Sequence, residues 1–184
     1  MAEYAAFLRG INVGGHKPVP MAALKKALEA LKFKNVRTLL ASGNVLFEAP
    51  NGAAGALEKK IGEKLEKTFG MEIPVMIRTL KDLQVLHDSE PFKGIRVTPK
   101  TGLYVTFLSQ EPEKSLRVPY ASPGGEIRIL RVAGREIISV ITLSPRGRTV
   151  DFMQVLEKKY GKQVTTRNWK TILRVLKESE ENRQ

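Results

Sequence analysis

Apolar positions along the chain alternate between two rhythms, a short run with strand character and a longer one spaced by three and four. Glu3 to Arg9 predicts a first strand. After a glycine-rich loop, Met21, Leu24, Leu28 and Leu31 fall on one helical face, with Lys25, Lys26 and Lys32 on others. Val36 to Leu40 predicts a second strand, "ASGN" at 41–44 a turn, and Val45 to Glu48 a third strand. Leu57, Ile61, Leu65 and Phe69 mark a second helix that Gly70 stops, and Ile73 to Arg78 a fourth strand. The order is βαββαβ, the ferredoxin-like unit.

The second half repeats that order more loosely. Thr79 with Asp82 predicts the cap of a connecting helix running through Leu86. Leu103 to Leu108 reads as a strand and Glu111 to Leu116 as a short helix. Glu126 to Leu143 is a hairpin turning at Ala133-Gly134. Val150 to Tyr160 is helical up to Gly161, and Gln163 to Thr165 is a last short strand. A terminal helix, capped by Thr165 or Thr166, runs to about Glu178. The fold class expected is α/β (α+β), with two ferredoxin-like subdomains, antiparallel or mixed sheets and a C-terminal helix. Residues 1–79 form the first subdomain, 80–101 a connecting helix and loop, and 102–184 the second.

The topology gives the opening loop its neighbours. In a ferredoxin-like unit the first and third strands are antiparallel partners. The end of the first strand and the turn before the third therefore meet at one end of the sheet. This places Gly10 to Lys17 beside Ser42, Gly43 and Asn44, where the first helix also begins. Glycine backbones can turn N–H groups toward a ligand, and a helix start favours negative charge. Arg9, His16 and Lys17 offer charge or donors, and Asn12, Ser42 and Asn44 polar contacts. That chemistry suits a phosphate or a carboxylate. "GINVGG" is neither a dinucleotide fingerprint nor a Walker loop, because no GK[ST] follows. The competing reading is geometric: Gly14 and Gly15 shape the turn, and Asn12 and Asn44 bond their own turns.

In "TTRNWKTILRVLKE", Trp169, Ile172, Leu173 and Leu176 predict a core-facing stripe, with Arg167, Lys170, Arg174 and Lys177 on the adjacent face. The cations read either as a phosphate track or as a solvated face paired with Glu178 and Glu181. Arg167 and Asn168 are assigned to the first helical turn, where an arginine opposes the helix dipole and points to an anion nearby.

Composition narrows the chemistry. The 184 residues suffice for one large or two small domains. The absence of cysteine excludes disulfides, thiolate nucleophiles and Cys-ligated metals. His16 and His87 are the only histidines, and no metal site is assigned; His87, Asp88 and Glu90 read as a solvated helix cap. The formal charge of +12 is spread along the chain, with 12 cations and 7 acids through Thr79 and 19 and 12 beyond it. Such a surface attracts nucleic acid, acidic proteins or phosphorylated small molecules. No apolar run reaches membrane-spanning length, and "MAEYAAFLRG" lacks a basic opening, so a cytoplasmic protein without a membrane partner is expected.

Three stretches, "LRGINVGG" (Leu8 to Gly15), "SGNVLF" (Ser42 to Phe47) and "TTRNWKT" (Thr165 to Thr171), carry a resemblance to the bacterial DUF1697 family, a domain of unknown function. The similarity extends loosely over nearly the whole chain. It implies two associated α/β subdomains, and no established reaction, substrate or cofactor. The chain departs from the family's "GRSK"-like segment with "PRGRTV" at 145–150, keeping Gly147 and Arg148, and its opening loop carries His16.

No pattern of covalent or acid–base catalysis emerges, and no cofactor or catalytic residue is assigned. The leading expectation is recognition of an anionic small molecule. Arg9, Lys17, Asn44 and Arg167 would bind its charge, Asn12, Ser42 and Asn168 would orient it, and Gly14 and Gly15 would cradle it. One alternative is nucleic-acid binding through the general basic surface; the third strand, with Phe47 as its only aromatic, lacks the stacking pattern of an RNA-recognition motif. The other alternative is an interaction module without catalysis.

Overall fold

The structure, a computed structural model, describes residues 1–15, 18–112, 117–143 and 152–181. His16, Lys17, positions 113–116 of the expected short helix, the "PRGRTV" segment and the start of the expected helix at Val150 lie outside the described residues. Two compact units emerge, one comprising Met1–Val85 and Arg174–Gln184, the other Leu86–Leu173.

In the first unit the strands β1 (Ala2–Leu8), β2 (Lys34–Leu39), β3 (Asn44–Ala49) and β4 (Val75–Thr79) form an antiparallel sheet in the order β2-β3-β1-β4. This is the strand order of a ferredoxin-like unit. Tyr4, Ala6 and Leu8 of β1 join a core with Val45 and Phe47 of β3 and with residues of α1 (Met21–Glu29) and α2 (Ala54–Phe69). Phe47 stacks between Phe33 and Tyr4, at 4.7 and 5.6 Å. Gly70, at φ 68°, ends α2. The opposite face is buried too, through Ala5, Phe7, Leu46 and Met76. Burial of both faces explains why β1 reads as a continuous apolar run and not as an alternation. Thr79 and Asp82 cap α3 (Leu80–Asp88) reciprocally, the Thr79 N–H donating to Oδ2 at 3.3 Å and the Asp82 N–H to Oγ1 at 3.0 Å.

The second unit's strands are β5 (Thr101–Leu108), β6 (Tyr120–Ala121), β7 (Ile127–Ala133), β8 (Glu136–Thr142) and β9 (Val164–Asn168). They form an antiparallel sheet in the order β6-β7-β8-β5-β9, which repeats the first sheet's order with β6 added at the edge. Within it α4 (Phe152–Tyr160) packs Phe152 and Leu156 against Leu108, Ile129, Ile137 and Val164. The last helix, α5 (Trp169–Glu181), divides between the units at Leu173/Arg174. Its C-terminal part is tied to the first sheet, where Arg37 Nη1 donates to the Glu178 carbonyl at 2.7 Å. The described residues contain no helix long and apolar enough to cross a membrane.

Ser139 stands fully buried in β8, opposite Tyr104, and its hydroxyl has no hydrogen-bond partner among the described residues. An unsatisfied buried hydroxyl costs about 1–3 kcal/mol. Ser139→Ala is therefore expected to stabilise the protein by roughly 1 kcal/mol, a rise of about 2–4 °C in Tm by calorimetry. A lowered Tm would show that the hydroxyl is satisfied.

Candidate functional site

The opening loop is built by backbone conformation more than by side-chain charge. Arg9 follows β1 directly, and its N–H donates to the Pro74 carbonyl at 2.9 Å. Partial burial pushes its guanidinium below the ordinary value. Gly10, Asn12, Gly14 and Gly15 all take positive φ, between 55° and 78°. Ile11 is buried in the core between them and pins the loop to the sheet. The Asn12 amide then clamps the loop. Its Nδ2 donates to the Val19 carbonyl at 3.0 Å and the Ala41 carbonyl at 2.8 Å, and its Oδ1 accepts the Val19 N–H at 2.8 Å. Val19 leads into α1, which starts after Pro20 with neither a side-chain cap nor an acid in its first turn.

The turn between β2 and β3 lies against this loop. The Leu8 N–H donates to the Gly43 carbonyl at 2.8 Å, and Asn12 reaches Ala41. Asn44 is fully buried, its Nδ2 donating to the Leu39 carbonyl at 2.9 Å and to Ser42 Oγ at 3.1 Å. Arg9, Asn12, Gly14, Gly15, Ser42 and Asn44 thus share one end of the first unit, as the topology requires. The amides of Asn12 and Asn44 have structural partners: Asn12 joins the two loops, and Asn44 closes the turn.

Arg167 and Asn168 belong to the second unit, and here the structure corrects the sequence reading. Thr165, Thr166 and Arg167 lie in β9, not at the start of a helix. β9 pairs with β5 as far as Asn168, and Thr166 Oγ1 meets Thr106 Oγ1 at 2.7 Å. The β-branched run Val-Thr-Thr suits a strand better than a helix cap. The cap is Asn168, whose Oδ1 accepts the Lys170 N–H at 2.9 Å. Arg167 therefore does not oppose a helix dipole, and the argument for an anion drawn from that placement falls. Its side chain is only 8% exposed, and Nη1 donates to Thr165 Oγ1 at 2.8 Å and the Thr166 carbonyl at 3.0 Å. Burial pushes its pKa down to about 10, which leaves it charged at neutral pH.

The buried face of α5 also differs from the expected stripe. Ile172, Val175 and Leu176 are buried, while Leu173 is exposed. Trp169 is half-buried, edge-on to Phe92 and stacked on His87. His87 in turn bonds Asp88 at 2.9 Å on the exposed end of α3, and no cluster fit for a metal occurs among the described residues.

Two features escaped the sequence reading. Arg78, 1% exposed in β4, donates to the Ile77 carbonyl at 2.7 Å. Its only signal was a cation inside the apolar stretch "VMIRT". The second is a cleft of about 870 Å³ in the second unit, between the end of β5 and the end of α4. It had no sequence signal, because its walls come from segments roughly 50 residues apart.

Two antiparallel sheets of ferredoxin-like strand order, with a glycine-built loop clamped against a hairpin turn, define a mixed α/β protein of duplicated architecture. The chain belongs to the DUF1697 family, described as a protein of unknown function, whose profile matches residues 1–137. Among solved structures it is similar to the conserved bacterial protein SP0830 from Streptococcus pneumoniae, with a TM-score of 0.65 and 21% identity over 96% of this chain and 97% of that one. At that identity the likeness speaks to the fold. No curated protein matches.

Proposed function

We propose that the protein recognises an anionic small molecule, bearing phosphate or carboxylate, at the opening loop of its first unit. The observation that carries this reading is the combination at the loop's end. An uncapped, acid-free helix start follows a segment whose glycines hold positive φ, and among the described residues no atom beyond the chain neighbours lies within 4 Å of a Cβ added at Gly10 or Gly15. Backbone N–H groups in such a segment and at such a helix start attract anions. Arg9, partly desolvated at the base of the loop, supplies full charge. Asn12 orients the backbone and is a positioning residue.

A second reading, a module whose motif residues serve only the fold, is favoured by the hydrogen bonds of Asn12, Asn44 and Arg167 to their own turns and strands. Thermal shift and calorimetric titration separate the two. Inorganic phosphate, nucleoside monophosphates, sugar phosphates, dicarboxylates and short RNA or DNA form the panel. One anion class is expected to stabilise the wild type, with binding at least tenfold weaker in Arg9→Ala. If no anion binds, or Arg9→Ala binds equally well, the loop is structural. Nucleic-acid binding that collapses as salt rises would instead favour the basic surface.

A further inference from the structure

We infer that the second unit carries its own binding cleft for an amphiphilic anion, a molecule with an apolar body and one carboxylate or phosphate. The cleft of about 870 Å³ lies within the size range of small-molecule sites. One wall is the end of β5 and the chain after it, from Leu108 to Pro112; the other is the last turns of α4, with Gln163 beyond.

The walls are held by main-chain bonds that need no ligand. The Leu108 N–H donates to the Arg135 carbonyl at 2.9 Å, and the Ser109 N–H to the Gln163 carbonyl at 3.1 Å. Arg135 Nη1 reaches the Ser109 carbonyl at 3.3 Å. A cleft fixed in this way is preorganised, so little ordering opposes binding.

Its chemistry is divided. Leu108, Pro112 and Val155 give it apolar surface, and Val155 is 37% exposed although it sits on an amphipathic helix. Lys158 and Lys159 follow Val155 by three and four residues, which places them on the same side of α4. Among the described residues neither lysine pairs with a carboxylate. Among the described residues the cleft's one acid, Glu111, is turned toward the β7–β8 turn, its Oε1 3.7 Å from where a Cβ on Gly134 would stand. Two lysines in the last turn also offset the helix dipole. That role does not account for an exposed valine and a buried leucine in the same cleft. An apolar body laid on Leu108 and Val155 with its anion at the lysines accounts for all of them.

The test uses 1-naphthyl phosphate, with 1-naphthol and inorganic phosphate as the two halves of the probe, titrated into the full chain and followed by amide NMR shifts and calorimetry. Saturable shifts at Leu108, Ser109, Lys159 and Gln163 are expected, with at least tenfold weaker binding for either half alone. Lys158→Gln/Lys159→Gln and Val155→Gln are each expected to weaken binding about tenfold while the Tm holds. Only shifts at these cleft residues count for this assignment; a response confined to the opening loop would belong to that site and would overturn this one, so the two failures are told apart. Absence of saturable shifts at these residues overturns the assignment, as do undiminished binding in both variants or equal binding of naphthol alone.

Discussion

Gly43→Ala is expected to destabilise the protein by roughly 2–5 kcal/mol, whereas Gly15→Ala is expected to cost only about 1 kcal/mol. The two glycines have nearly the same φ, 79° and 78°. They differ in what surrounds them. A Cβ on Gly43 would stand 2.7 Å from Ile11 Cδ1 and 2.9 Å from Leu8 Cβ, while at Gly15 no described residue beyond the chain neighbours comes within 4 Å. Leu8 cannot yield, because its side chain is in the core and its N–H is bound to the Gly43 carbonyl. Gly43→Ala therefore adds overpacking to the left-handed strain that both variants share. Urea denaturation of the two variants beside wild type measures the difference. Equal losses would show that the hairpin turn does not bear on the opening loop.

Arg167→Lys is expected to add a pH dependence to stability that Arg167 itself does not give the wild type near neutral pH. Burial lowers the Arg167 pKa to about 10, below its unfolded value, so the charged form is penalised in the folded state at every lower pH. That penalty fades as pH rises through about 10, so the wild type should show little slope from this group between neutral pH and about 9. A lysine at the same site starts from an unfolded pKa of about 10.4 and is lowered by the same burial. Between its folded and unfolded values the unfolded chain binds the extra proton, so stability rises with pH. Relative to wild type, Arg167→Lys should regain roughly 2 kcal/mol between pH 7 and pH 9.5. Denaturant melts of both proteins at matched ionic strength check this. A flat difference would mean that the substituted ammonium is solvated at this site.

The legibility of the sequence followed the range of the forces involved. The terminal helix shows the boundary. Its apolar spacing was readable, yet its start was misplaced at Thr165/Thr166, because threonine caps helices and also favours strands. The ladder with β5, some 60 residues earlier, settled the competition, and Asn168 became the cap. The candidate loop was similar. Its glycines, its place at the sheet end and its neighbour turn followed from topology. That the Asn12 and Asn44 amides are engaged by the fold did not, since their acceptors include Ala41 and Val19 across the loop.

The sequence by itself determined the elements of the first unit, their βαββαβ order and the basic charge, because periodicity, turn residues and composition act over a few positions. Only the tertiary structure decided that Arg167 and Arg78 lie buried, that Gly43 has no room for a side chain, and that Lys158 and Val155 face a cleft with Leu108. Those properties depend on which distant segments the chain brings into contact, and a one-dimensional pattern does not encode that distance.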